Sequence, residues 1–265
     1  MLKNVIEKEY NIYTDKNIRN EGYKVNFISD LHFGTTMSNN ELQKYCDNIS
    51  QRNVDIVILG GDIVDENTTL KQMKDAFKIL SSIKSNYGIV YVYGNHDKSR
   101  YAINSNYTEE ELKEEISECR IKILEDDIYE INNELCIIGR KDRSDSEERK
   151  SAQDLVSEFN KDYYTIIVDH QPCEINENSE NGYDLMVSGH THFGQIWPLG
   201  HLMNLFKINE MNYGYVIFWN MYIIVKSGMG VWGYPIRTEK KCEYLIINIV
   251  KEINFGKRKS RMKIT

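Results

Sequence analysis

His190 and His192 stand one residue apart in LMVSGHTHFGQIWP (185–198), just past a run that reads as a buried strand. Two imidazoles placed there, with Gly189 before them and Gly194 after, make either a surface loop or part of a metal site. The rest of the chain bears on that choice. Ser29-Asp30-Leu31-His32 closes the strand-like run 24–29, and Gly60-Gly61-Asp62 closes 54–59, with Asp65 soon after. Gly94-Asn95-His96-Asp97 closes 88–93, and Asp169-His170-Gln171-Pro172 closes 164–168. Each piece alone is an ordinary turn, since Asn, Asp and Gly all tolerate left-handed backbone. Together, five strand ends deliver carboxylate, imidazole and carboxamide groups. In an α/β sheet that edge is where ligands bind.

The donor types are consistent with one another. Asp, Asn and His without thiolate suit Zn, Mn or Fe held for catalysis and do not suit a structural cysteine–zinc site. Asp30, His32, Asp62, Asn95, His170, His190 and His192 are too many for one ion. They are about right for two ions sharing a carboxylate, the arrangement that serves phosphoryl displacement.

The elements that must position these groups follow from hydrophobic patterning. The runs 24–29, 54–59, 88–93, 135–139, 164–168 and 185–188 are short, rich in Ile, Val and Tyr, and barely alternate, as expected of strands covered on both faces. Between them, Leu70, Met73, Phe77, Leu80 and Ile83 recur at helical spacing. Thr108 with Glu111 three residues on is a capping-box signature. This alternation predicts an α/β layered fold. The segment 212–228 reads as two strands joined near Asn220 and 242–250 as a last strand, so the C-terminal third is expected to be antiparallel. The charged stretch 139–154 reads as a loop leading into a helix near Leu155. One domain is expected over 1–265, with its core at about 23–250 and a short basic tail at 257–263.

Bulk properties narrow the function. The chain has 265 residues and a formal net charge of −7, and it shows no Lys/Arg stripe interleaved with aromatics, which argues against a nucleic-acid partner. Five cysteines without a C-x-x-C fit reduced thiols in the cytoplasm. The start MLKNVIEKEY has no apolar signal region, and the longest apolar run, 215–225, is too short to span a bilayer. The expected location is cytoplasmic, with membrane association open if a membrane segment lies outside this sequence.

In their order, SDLH, GGDIVD, GNHD, DHQP and SGHTHFGQ resemble the five signature blocks of the calcineurin-like metallophosphoesterases. The pieces GRKDRSDSEERKSAQDL and SGMGVWGYPIR are further similar to a bacterial branch that includes UDP-2,3-diacylglucosamine hydrolase-like and cell-envelope phosphodiesterases. The resemblance implies a four-layer α/β/β/α sandwich. It implies that Asp30, His32 and His192 bind one ion, that Asn95, His170 and His190 bind a second, and that Asp62 bridges them. His96 would be the non-ligand histidine that stabilises the transition state or protonates the leaving group. Asp97 would hold His96 in one tautomer, or be a turn residue. The implied activity is hydrolysis of a phosphodiester or pyrophosphate in an envelope or nucleotide-linked substrate. The partner is then a phosphoester small molecule or a lipid-linked substrate, with peripheral membrane contact open and no protein partner called for. A phosphomonoesterase, a nuclease and a catalytically silent metal- or ligand-binding module are the alternatives. Many relatives carry Gly where this chain has Phe193, whose ring could narrow the cleft mouth or stack on a substrate. Arg237 is read as a structural salt bridge, with a substrate-phosphate contact as the alternative. Asp65 is read as a cap or a residue behind the ligands, Cys173 as packing, the apolar segment 196–206 as core or hairpin packing with a lip for a lipid tail as the alternative, and His201 as no ligand.

Overall fold

A computed structural model describes residues 4–145 and 148–252; the basic tail at 257–263 lies outside them. Two sheets carry the molecule. The first contains β1 (Ile6–Thr14), β2 (Tyr23–Ile28), β3 (Ile56–Leu59), β4 (Ile89–Tyr91), β5 (Lys122–Ile123) and β12 (Glu243–Lys251), in the order β1-β12-β2-β3-β4-β5. The second contains β6 (Asp127–Ile131), β7 (Leu135–Gly139), β8 (Tyr164–Val168), β9 (Leu185–Ser188), β10 (Gly214–Phe218) and β11 (Met221–Val225), in the order β10-β11-β9-β8-β7-β6.

Helices cover both outer faces. Leu42, Cys46 and Ile49 of α1 (Asn39–Ser50), Met73 and Phe77 of α2 (Leu70–Leu80), and Leu112 and Ile116 of α3 (Glu109–Glu118) pack with Ile28, Val57 and Leu59 of the first sheet. Leu155 of α4 (Ala152–Val156) and Ile175 of α5 (Ile175–Glu180) pack on Ile138, Ile167 and Met186 of the second. Between the sheets lies a third apolar layer, in which Val25, Phe27 and Ile58 meet Ile137, Ile166 and Val187. The architecture is therefore the expected α/β/β/α sandwich. The strands between two such layers are buried at every position, which is why they read as continuous apolar runs.

Parallel pairing is in register across the site-bearing strands: Ile28 meets Leu59, Leu59 meets Tyr91, and Val168 meets Val187. Their C-terminal ends thus finish level. Helix starts are fixed by capping boxes at Ser38, Thr69, Thr108 and Ser151.

Three expectations need correction. The core begins well before residue 23, because β1 pairs in parallel with β12 over its whole length. Its alternating exposed and covered residues mark an edge strand with one wet face. The C-terminal third is only partly antiparallel: β10 with β11 and β12 with β2 are, whereas β11 runs parallel to β9. The segment 196–206 is not core. It forms α6 (Leu199–Leu205), of which only Gly200 is buried, against Phe193.

Candidate metal centre

Asp30 and His32 follow β2, Asp62 follows β3, Asn95 and His96 follow β4, His170 follows β8, and His190 and His192 follow β9. Asp30, His32, Asp62, His190 and His192 all adopt left-handed backbone, with φ between 44° and 69°. Such conformations cost a non-glycine residue about 1–3 kcal/mol each and persist where surrounding bonds over-determine them. Here they do: Asp30 N–H donates to the Gly61 carbonyl at 2.9 Å and His32 N–H to the Asp62 carbonyl at 3.0 Å. His190 N–H donates to Asp30 Oδ1 at 2.7 Å and His96 N–H to Asp62 Oδ1 at 2.9 Å.

The side chains converge in two groups. Asp30, His32 and His192 offer ligand atoms within 4.8 Å of one another, and so do Asp62, His170 and His190. Asn95 Oδ1 lies 2.9 Å from His190 Nδ1 and so joins the second group. His32 Nε2 is 3.1 Å from His192 Nε2 and 3.9 Å from Asp62 Oδ2, so Asp62 stands between the groups.

These residues fit two divalent ions. His170 Nδ1 faces the Gly60 carbonyl at 2.9 Å and must be its donor. His170 Nε2 sits 3.0 Å from Asp62 Oδ2 without an aligned hydrogen bond, and it is buried with no other partner among the described residues. A lone pair facing a carboxylate is stable only with positive charge between them, from a proton or an ion. Burial pulls the His170 pKa down, but Asp62 and Asp30 together push it well above its usual value. Burial, aided by His170, holds His190 down at about 4. Burial, His32 and Arg237 hold His192 well below its ordinary range. Both rings are therefore neutral at neutral pH, as ligation requires. Burial raises Asp30, whereas Asp62 stays well below the usual carboxylate range because His170 and His32 outweigh the burial that would raise it.

Behind the ligands, Asp65 Oδ2 accepts from His32 Nδ1 at 3.1 Å, and its Oδ1 accepts from Asn67 N–H. A carboxylate behind a ligand histidine fixes its tautomer and leaves Nε2 for the ion. Asp97 does not hold His96. Its two oxygens accept backbone N–H from Asp62, Ile63, Val64 and Gly94, at 2.6–3.2 Å, and so pin the end of β3 to the end of β4. Burial and the Asp62 charge push Asp97 up to about 6 despite those bonds. The partner of His96 is Glu66, which sequence reasoning missed; its Oε1 lies 2.9 Å from Nδ1. The available signal was an acidic residue directly after Asp65.

Arg237 takes neither role expected of it. It is buried, and its described hydrogen bonds go to the carbonyls of Ser227, Gly230 and His192 and to His192 Nδ1, the last at 3.0 Å. Phe193 is also buried, against His201 and Tyr213, and does not stand at the cleft mouth. Cys173 is buried as expected, and His201 is exposed and paired with Glu239 at 2.8 Å.

The sequence profile of the calcineurin-like phosphoesterases matches residues 23–194, which hold all of these ligands. The chain belongs to that family. The family is one of metal-dependent phosphoester hydrolases. Among its members, an uncharacterized metallophosphoesterase of Helicobacter pylori is 30% identical over 234 residues, covering 87% of this chain and 60% of the relative. One from Aquifex aeolicus is 29% identical over 253 residues, covering 91% of this chain and 90% of the relative. The chain thus spans about 60% of the length of the Helicobacter phosphoesterase. In fold it is similar to a dimetal phosphatase from Danio rerio, with a TM-score of 0.50 at 12% identity over 78% of this chain and 88% of that one. No helix among the described residues of this phosphoesterase is long and apolar enough to cross a membrane.

Proposed function

We propose that this phosphoesterase cleaves phosphodiesters or pyrophosphate bonds in an envelope or nucleotide-linked substrate, using two ions drawn from Mn, Fe or Zn. The observation that carries this reading is the pair of ligand groups with Asp62 between them and His96 directly alongside. Bound ions would supply positive charge against the phosphoryl oxygens and a water of lowered pKa. The chain's own contribution is positional. Burial removes competing water from Asp30, Asp62 and His170, and Asp65 and Gly60 orient His32 and His170. His96, its Nδ1–H donating to Glu66, would give the leaving-group oxygen a proton from Nε2 as the imidazolium, the form that Glu66 and Asp62 favour.

Room beside the centre for a second ester substituent supports a diester over a monoester. A cavity of about 660 Å³ opens beside His190 and His192, walled by Ile196, Leu199, Trp232 and Tyr234. The acidic surface favours a small or lipid-linked phosphoester over a polynucleotide.

The test is hydrolysis of bis-p-nitrophenyl phosphate and p-nitrophenyl phosphate by metal-stripped protein refilled with Mn, Zn, Fe or Mg. Activity should return with two metals per chain and favour the diester, and Asp62→Ala should abolish it. Preference for the monoester would move the assignment to a phosphomonoesterase. Metal uptake with neither ester cleaved would move it to a binding module.

A further inference from the structure

The two segments that wall the apolar cavity are unusual for a water-facing surface. In 197–208, Trp197, Leu199, Leu205 and Phe206 are exposed, and in 232–236 so are Trp232 and Tyr234. Leu199, Leu202 and Leu205 fall at successive three-residue steps, so α6 turns an apolar face outward. The segments form one preformed lip. The Gln195 amide donates to the Trp232 carbonyl at 3.0 Å and its oxygen accepts Trp232 N–H at 2.9 Å. Trp197 N–H donates to Thr238 Oγ1 at 2.8 Å. Contiguous exposed apolar area of this kind marks an interaction surface.

The charge around the lip indicates what covers it. Neither 197–208 nor 232–238 contains a carboxylate, although the chain holds 40 Asp and Glu. The acidic residues that border the lip are turned to other partners: Glu239 to His201, and Glu210 to the backbone N–H groups of Glu174 and Ile175. Lys207, Lys240 and Lys241 are exposed at its rim. Tryptophan and tyrosine beside aliphatic side chains, ringed by lysine on an otherwise acidic molecule, match the interface of an anionic bilayer. We propose that this lip docks on anionic lipid membranes, laying the cavity mouth beside His190 and His192 against the bilayer surface. The inference concerns binding and stands whether or not the substrate is a diester.

The experiment is co-sedimentation of the full chain with vesicles of phosphatidylcholine plus phosphatidylglycerol, and with vesicles of phosphatidylcholine alone. The chain should bind the anionic vesicles, with its tryptophan emission shifting to the blue, and bind the neutral ones more weakly. Added salt should weaken binding without abolishing it, because the apolar part is unscreened. Leu205→Glu with Phe206→Glu should lower vesicle affinity by about tenfold or more. Both side chains lie outside the metal centre, so metal content should stay unchanged and report an intact fold. Absence of vesicle binding and of the blue shift in the wild type overturns the proposal. So does a double variant that keeps its metal and binds as well as the wild type. A concentration-dependent dimer without vesicle binding, abolished by the double variant, would instead assign the lip to a second copy of the chain.

Discussion

Glu66 governs what His96 can do. Alone, the ring could turn or hold its proton on either nitrogen; with a carboxylate 2.9 Å from Nδ1, both are fixed. Burial lowers the His96 pKa, but Glu66 and Asp62 more than offset this and keep it above the ordinary histidine value. Glu66→Gln should therefore reduce kcat by about 10–100-fold with metal content and KM little changed. Turnover equal to wild type, measured on a diester alongside metal analysis, would remove His96 from the mechanism. Asp65 plays the corresponding part for His32, whereas the Arg237 guanidinium, which can only donate, meets the Nδ1 lone pair of His192. In each case the ligand or acid is visible in a short motif, whereas the residue that meets it lies 30 to 45 positions away.

The strand ends set the limits of change at the next scale. The end of β9 is pressed against the end of β2. A Cβ on Gly189 would sit 2.0 Å from Asp30 Oδ2 and 2.5 Å from Ser29 Oγ. Gly189→Ala should therefore cost about 1–3 kcal/mol of stability, as overpacking does, and displace Asp30 from its group. Urea unfolding and metal stoichiometry would read the two effects separately; wild-type values for both would show that the strand ends have slack. The elements themselves were largely legible. Strands 135–139, 164–168 and 185–188 have the same bounds in sequence and structure, because a strand covered on both faces shows a nearly continuous apolar run. β1 is not legible in the sequence because its charged, wet face dilutes the apolar signal. The apolar composition of 196–206 fits packing as well as an exposed lip, because composition does not say which side of a helix the protein covers.

Across the whole molecule, a buried charge cluster ties the two sheets at one edge. Lys226, just past β11, lies 3.0 Å from Tyr10 of β1 and 3.5 Å from Glu243 of β12. Lys8 reaches Glu243 at 2.9 Å. Burial lowers Lys226 from the usual 10.5 to about 8, against the pull of Glu243. Between those values the unfolded chain binds more protons than the folded one, so stability should rise with pH across that window; the penalty is complete below about 8. The window is worth up to about 3 kcal/mol. Lys226→Met should remove that rise, as read by urea unfolding of both proteins at about pH 7 and about pH 10. An identical pH response in the two would show that Lys226 keeps an ordinary pKa.

By itself the sequence determined the layered α/β fold, the seven metal-ligand candidates and His96. These rest on local spacing, D-x-H, N-H and H-x-H at the ends of apolar runs, and a strand end delivers its polar residues wherever the strand packs. The tertiary structure alone shows that Glu66 and not Asp97 holds His96, that Arg237 meets His192, and that 197–208 lies on the outside. Those facts depend on how strand ends from two sheets meet, and a contact between residues far apart in sequence leaves no periodicity to read.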